Sequence, residues 1–328
     1  VTRGGELVAH KSLGHFTYDE GSREVTVKSI FDLASLTKVV ATTATAMVLY
    51  ERGLLDLEAP VTAIIPEFAG DDACRREITL HMLLAHSSGL PAYERLFLRA
   101  KTREDLLQAA FITQLTSAPG ERAEYSDIGF IILGVILERL ADESLDIFCQ
   151  REIFGPLGMS HTTFNPAPAL KDLIPPTADD RNFQRRVIQG EVQDENASVL
   201  GGVAGHAGLF STSEDLAVFA HAMLNGGHPI LRPTTVDLFS RRESSPEGTS
   251  RAFGWDSPSA PSQSGKYFSP RSFGHLGYTG TSLWIDPERQ VSITLLTNRT
   301  WPDCRNQSIK QVRPAFHDAV MEALGKNA

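Results

Sequence analysis

Between Thr37 and Glu51 the chain reads Thr-Lys-Val-Val-Ala-Thr-Thr-Ala-Thr-Ala-Met-Val-Leu-Tyr-Glu, with charges only at Lys38 and at the last residue. Gly53 follows where a capping glycine stops a helix. A helix that is apolar on every face must be covered on every face, so the rest of the protein has to be built around this segment. Its start carries the chemistry. Ser35 and Lys38 lie three residues apart in Phe31-Asp-Leu-Ala-Ser-Leu-Thr-Lys38, and positions i and i+3 share one helix face. A lysine in a partly dry pocket gives up its proton more readily and can then accept one from the serine hydroxyl. That is a Ser-Lys nucleophile, with Ser35 near the positive end of the helix dipole. The plain structural reading is an N-capping serine beside a solvated lysine. With 26 serines and eight lysines among 328 residues, chance supplies roughly one such pair in every other chain of this composition, so companions must decide.

Bulk properties exclude several function classes. Lys plus Arg number 31 against 40 acidic residues, for a net charge of −9. That balance, without a basic cluster, excludes a nucleic-acid partner. No apolar run reaches the length of a membrane span. Cys74, Cys149 and Cys304 are odd in number and far apart, and read as buried thiols rather than a disulfide framework or zinc site. No cofactor and no metal is expected. The chain starts at Val1 with no signal peptide in view, and a soluble protein of periplasmic or cytoplasmic type is expected. Oligomeric state is not encoded legibly.

The segments Glu6–His10 and His15–Tyr18 look like strand material around Gly14. Helical patterns run over Glu104–Gln114, Ile128–Leu140 and Leu145–Phe154. Asn165–Ala207 has little periodicity, and a stretch of that length without structure is more often functional than idle. Thr212-Ser-Glu-Asp215 opens a helix reaching Leu224. Gly280–Asp286 and Val291–Asn298 flank Pro287-Glu-Arg-Gln290 as a β-hairpin, and Ile309–Leu324 closes the chain as an amphipathic helix. Strands at both ends with helices between predict an α+β fold, an antiparallel sheet flanked by helices with an inserted helical lobe. The expected lobes are 1–59 plus 208–328, and 60–207, within a single domain spanning 1–328.

Two further elements can carry chemistry. Tyr125, in Glu124-Tyr-Ser-Asp127, stands at a loop-to-helix junction. Its phenol could relay a proton between nucleophile and leaving group if nearby cations depress its pKa; alternatively Ser126 or Asp127 is simply an N-cap. Phe273-Gly-His-Leu-Gly-Tyr-Thr-Gly-Thr281 is a glycine-bearing strand whose backbone could approach a ligand and offer an N–H to an oxyanion. The alternative is a bulged strand with a solvent-facing histidine.

Ser35-Leu-Thr-Lys38, Tyr125-Ser-Asp127 and His275-Leu-Gly277, in that order, resemble the three motifs of the penicillin-recognising serine hydrolases. The branch is that of class C β-lactamases, D,D-peptidases and β-lactamase-fold esterases. Leu83-Leu-Ala-His-Ser-Ser-Gly-Leu-Pro91, Phe154-Gly-Pro-Leu-Gly-Met159 and Gly208-Leu-Phe-Ser-Thr212 extend the likeness, which covers about residues 4–300. The resemblance implies a β-lactamase/transpeptidase-like fold and a substrate that is a small ester, amide or β-lactam; the helix and most of a strand that the family carries ahead of the position of Val1 either lie upstream or leave this sheet with one short edge. It implies that Ser35 is acylated and that Lys38 and Tyr125 share acid and base duties. The backbone N–H groups of Ser35 and Tyr278 would form the oxyanion hole, and Asp127, His275 and Gly277 would contact substrate.

Two departures bear on substrate. His275-Leu276-Gly277 replaces Lys-Thr-Gly, and a largely neutral histidine with a leucine weakens carboxylate recognition. Asp127 replaces the usual asparagine, which repels anionic substrates and favours protonated Lys38. Neutral esters, or small amides without a free carboxylate, are therefore expected to be better substrates than penicillins or peptidoglycan peptides. A catalytically silent protein that binds peptidoglycan or a partner is the alternative of another class. His86 is expected to hold a loop outside the chemistry. His206 is placed either beside the cleft or on the surface. Asp194-Glu195 reads as a solvated face.

Overall fold

The computed structural model describes residues 1–325. The two ends of the chain meet in one five-stranded antiparallel sheet, in the spatial order Glu6–Leu7, Thr2–Arg3, Val291–Leu295, Ser282–Asp286, Phe273–Leu276. Its centre is the hairpin expected from sequence, with Val291 opposite Asp286 and Leu295 opposite Ser282. Trp284 and Ile293, directly paired, are buried on one face, against the closing helix Ile309–Ala323. His15–Tyr18 is not a strand; it contributes a single bridge from His15 to Glu24. A second, three-stranded sheet joins Phe31–Asp32, Leu209–Ser211 and Thr163–Phe164. It fixes the segment just ahead of Ser35 against the end of the inserted region.

The apolar segment after Ser35 is buried from Val39 through Leu49, as an all-apolar helix must be. Its local geometry differs from the uniform α-helix of the sequence reading. Ala34–Leu36 is a 3₁₀ turn, Lys38–Thr43 a π-helix, and only Ala44–Glu51 is α-helical. Gly53 ends it at φ +69°, its N–H returning to the Tyr50 carbonyl. Packed beside this helix is Asp127–Ala141, buried from Ile128 to Leu137. Gly134 in this helix makes room for the backbone of Gly205, because a Cβ on either would come within 2.9 Å of the other glycine.

The other expected helices form close to their predicted bounds, at Arg103–Phe111, Leu145–Cys149 continuing through Gln150–Phe154, and Ser213–Leu224. The Asn165–Ala207 stretch is more ordered than its composition suggested. It holds a 3₁₀ helix at Pro168–Leu173, a hairpin of Ala178–Asp180 with Arg186–Ile188, and a short helix Glu195–Val199 capped by Asp194. The cysteines correct the sequence reading in part, since Cys149 is buried but Cys74 and Cys304 are exposed. Among the described residues no helix is long and apolar enough to cross a membrane.

Candidate active site

Ser35 sits on a turn held from several sides. The preceding residue, Ala34, has φ +48°, a left-handed conformation that a β-carbon makes unfavourable. Asp32 holds it there by accepting the Ala34 N–H at 2.8 Å, while its other oxygen accepts from the Gln193 N–H at 2.8 Å. Thr279 and Thr281 donate their hydroxyls to the carbonyls of Asp32 and Leu33. Gly277 is glycine for the same junction, since a Cβ there would lie 2.5 Å from the Leu33 carbonyl oxygen. Ser35 lies in the 3₁₀ turn and Lys38 opens the π-helix that follows, so the two side chains face each other across the junction of the two.

The three predicted side chains meet. Lys38 Nζ donates to Ser35 Oγ at 3.0 Å, to Asp127 Oδ1 at 2.6 Å and to the His206 carbonyl at 2.9 Å. Tyr125 Oη lies 2.7 Å from Ser35 Oγ and donates to Asp127 Oδ1 at 2.9 Å. Lys38 is fully buried, and burial pulls its pKa below the ordinary lysine value despite the opposing Asp127 charge. The protonated amine matches its three acceptors. The neutral amine, keeping its bonds to Asp127 and His206, has a lone pair left to accept the Ser35 proton. Tyr125 departs from expectation: burial, reinforced by Asp127, raises its pKa well above 10. It is a phenol in the resting site, fitted to donate or relay a proton rather than to begin as phenolate.

His86 and His275 frame Tyr125, with ring centroids 4.9 and 5.9 Å away. His86 Nδ1 accepts the Ser126 N–H at 3.0 Å, and Ser126 caps the following helix by accepting from Gly129 N–H at 3.0 Å. So His86 holds the loop, as expected, and Ser126 is the N-cap of the helix that follows Tyr125. His275 is buried rather than solvent-facing. Its Nδ1 lies 2.8 Å from the Leu276 carbonyl, and burial with the nearby Lys38 charge drives its pKa well below 6.5. It is a neutral ring at neutral pH. The backbone N–H groups of Ser35 and Tyr278 donate to no other protein group among the described residues, and both residues line one cavity of about 1080 Å³ with Tyr125, Asp127, His206, His275 and Gly277.

His206 is buried, not on the surface, and its Nε2 meets Asp194 at 2.8 Å. Asp194 therefore corrects the solvated-face reading: it caps one helix and anchors the histidine whose carbonyl holds Lys38. Sequence reasoning missed Arg251 altogether. Its guanidinium lines the same cavity, 5.5 Å from the Tyr125 ring centroid. Nothing local in Ser250-Arg-Ala-Phe253 marks it. Among the described residues, no cluster of three or more His, Cys, Asp or Glu side chains is arranged to hold a metal ion.

An alcohol hydrogen-bonded to a buried amine and a phenol, beside unengaged backbone donors, is an arrangement that can act as a nucleophile site of the Ser-Lys type. The profile of the Beta-lactamase family matches residues 1–313, and the chain belongs to that family. It is 32% identical over 338 residues to the N-acetylmuramyl-L-alanine amidase of Bacillus subtilis (strain 168), covering 91% of this chain and 76% of that protein. A putative D-alanyl-D-alanine carboxypeptidase of Salmonella agona (strain SL483) is 32% identical over 350 residues, covering 94% and 80%. Among solved structures, EstCE1, a hydrolase with promiscuous acyltransferase activity, superposes with a TM-score of 0.76 at 21% identity, covering 95% of this chain and 92% of its own. Members of the family are serine hydrolases.

Proposed function

We propose that this chain is a serine acyl-hydrolase that cleaves carboxylic esters or small amides through an acyl-enzyme on Ser35. The single observation that carries this reading is the contact of Ser35 Oγ with both Lys38 Nζ at 3.0 Å and Tyr125 Oη at 2.7 Å. Neutral Lys38 takes the Ser35 proton as Oγ attacks the carbonyl carbon. The carbonyl oxygen, gaining charge, sits between the N–H groups of Ser35 and Tyr278. Tyr125, linked to the same network, passes a proton to the departing oxygen or nitrogen. Water then repeats the attack on the acyl-enzyme, and the proton returns through Lys38 and Tyr125 to Ser35. His275 and Gly277 line the cleft, and the division into lobes 1–59 plus 208–328 and 60–207 would put that cleft between them.

A second reading is amide hydrolysis of cell-wall peptide, favoured by the two relatives at 32% identity, one named an amidase and one a putative carboxypeptidase. β-Lactam hydrolysis is the remaining member of that group. Turnover of p-nitrophenyl butyrate, a D-alanyl-D-alanine peptide, a muramyl-peptide amide and nitrocefin separates them. Mass spectrometry after exposure to a neutral fluorophosphonate tests the shared step. Covalent gain on Ser35 is expected. An unlabelled Ser35 overturns the hydrolase reading and supports a silent binding protein.

A further inference from the structure

The buried row of the closing helix is Ile309, Arg313, His317 and Met321, each four residues from the next, a spacing that keeps side chains on one face. Met321 packs with Trp284 in the apolar cluster of the sheet, and His317 Nε2 meets Ser282 Oγ at 3.0 Å. The helix is thereby fixed on the strands. An arginine in such a row is the exception that asks for a reason, because a guanidinium is rarely buried unless it is paired. Arg313 is only 6% exposed. No carboxylate among the described residues pairs with it, and burial with the Arg299 charge lowers its pKa to about 10, which leaves it protonated at neutral pH.

Its donors go to main chain, at both ends of one turn. Nη2 donates to the Gly277 carbonyl, and Nε to the Gly280 carbonyl at 3.3 Å. The turn itself closes with the Gly280 N–H on the same Gly277 carbonyl at 3.1 Å, whose oxygen has two lone pairs to offer. Between these ends, the Tyr278 carbonyl accepts from Arg299 Nε at 2.7 Å and the Thr279 carbonyl from Thr297 Oγ1 at 2.8 Å. The Tyr278 N–H, by contrast, donates to no other protein group among the described residues. It belongs to the same peptide unit as the Gly277 carbonyl. That unit is trans, and a trans peptide is a plane with its C=O and N–H directed oppositely. Whatever holds the carbonyl therefore aims the N–H.

We propose that Arg313 is a positioning residue for the oxyanion hole, clamping the Gly277–Tyr278 peptide so that the Tyr278 N–H meets the substrate carbonyl oxygen as it gains charge. The inference rests on the acyl-hydrolase reading for the oxyanion itself. A charged donor on the carbonyl draws electron density through the amide and makes its N–H a stronger donor. With no carboxylate to offset it, the guanidinium also leaves a positive charge one peptide away from where negative charge develops. The planar fork spans two carbonyls from one rigid group, which a lysine cannot do.

Arg313→Gln and Arg313→Lys test this with p-nitrophenyl butyrate and butylboronic acid, neither of which carries a carboxylate. The boronic acid imitates the transition state: Ser35 Oγ bonds to boron, the Ser35 proton passes to Lys38, and a boron-bound oxygen takes the place of the oxyanion. Deleting an oxyanion donor outright costs about 10²–10³ in kcat; misplacing one in Arg313→Gln should lower kcat about 10- to 100-fold, with KM within about threefold. The Ki of butylboronic acid should rise by a similar factor. Arg313→Lys keeps the charge and should recover at least about threefold of each loss. A binding constant does not depend on how much of the protein is folded, so a merely structural role leaves Ki where it was. A Ki within about twofold of the unaltered protein in Arg313→Gln, a rise in KM in place of the fall in kcat, or no recovery in Arg313→Lys overturns the proposal. If Arg313→Gln does not fold, Arg313→Lys carries the test: Ki should rise about fivefold, and a Ki within about twofold overturns it. Failure of fluorophosphonate to label Ser35 in the unaltered protein would instead count against the acyl-hydrolase reading alone.

Discussion

Lys38 Nζ and Asp127 Oδ1 meet at 2.6 Å at the floor of the cleft, and yet the lysine pKa still falls, because full burial outweighs the attraction of the carboxylate. Asp127 thus restrains a shift that burial drives. Asparagine at this position would remove the restraint and let Lys38 become neutral at lower pH. In Asp127→Asn, the acidic limb of the kcat/KM profile is therefore expected to move down by at least about half a pH unit. An acidic limb that stays in place or moves up would show that Lys38 is not the group titrating there.

Lys38 itself is tested by replacement with methionine, which keeps the length of the buried stem and removes the amine. Proton transfer by a positioned base contributes about 10²–10⁴-fold in rate, and kcat/KM for an activated ester should fall by that range. Ser35 would keep Tyr125 as a partner, at 2.7 Å. Rates within a few-fold of the unaltered protein would reassign the base to Tyr125.

The parts of this site that could be read from sequence are those whose spacing is short or whose order is distinctive. Ser35 and Lys38 could be paired because one turn separates them, and the final hairpin because its alternation is local. What escaped depends on tertiary context. The π-helix at Lys38–Thr43 has no propensity signature, and Ala34 at positive φ is imposed by Asp32 and not chosen by alanine. The His206 main-chain carbonyl has no side-chain identity to recognise. Arg251 reaches Tyr125 from 126 positions along the chain. The direction of the Tyr125 pKa is not legible locally, because it depends on how much water the fold excludes, and burial with Asp127 prevails over Arg251.

Gly205 links packing to chemistry. A Cβ there would lie 2.2 Å from the Phe130 carbonyl and 2.9 Å from Gly134, while its own carbonyl accepts the Thr42 hydroxyl at 2.6 Å. Overpacking of such a contact costs about 1–3 kcal/mol. Gly205→Ala should therefore lower the free energy of unfolding in urea by that amount. It should also reduce kcat, because the displaced segment carries the His206 carbonyl away from Lys38. Unchanged stability would mean the two backbones are not packed as closely as described.

Asp32 gives a stability prediction with a definite sign. Its carboxyl is buried and burial raises its pKa from 3.8 to about 6, against the two backbone N–H groups that stabilise its charge. The folded state therefore holds this proton more tightly than the unfolded state does. Its favourable contribution is fully present below about pH 4 and is lost as pH rises through about 6, a change on the order of 3 kcal/mol. Asp32→Asn cannot ionise and can accept only one of the N–H groups of Ala34 and Gln193, so it should be less stable at low pH. Across pH 4 to 7, however, the unaltered protein should lose stability relative to the variant, narrowing the gap between them. Urea unfolding of both proteins at each pH measures this directly, since titrations elsewhere cancel in the difference. A gap that stays constant or widens toward pH 7 would show that Asp32 is ionised in the folded protein throughout, with the helix-start turn and the Gln193 segment held by a carboxylate rather than by an acid.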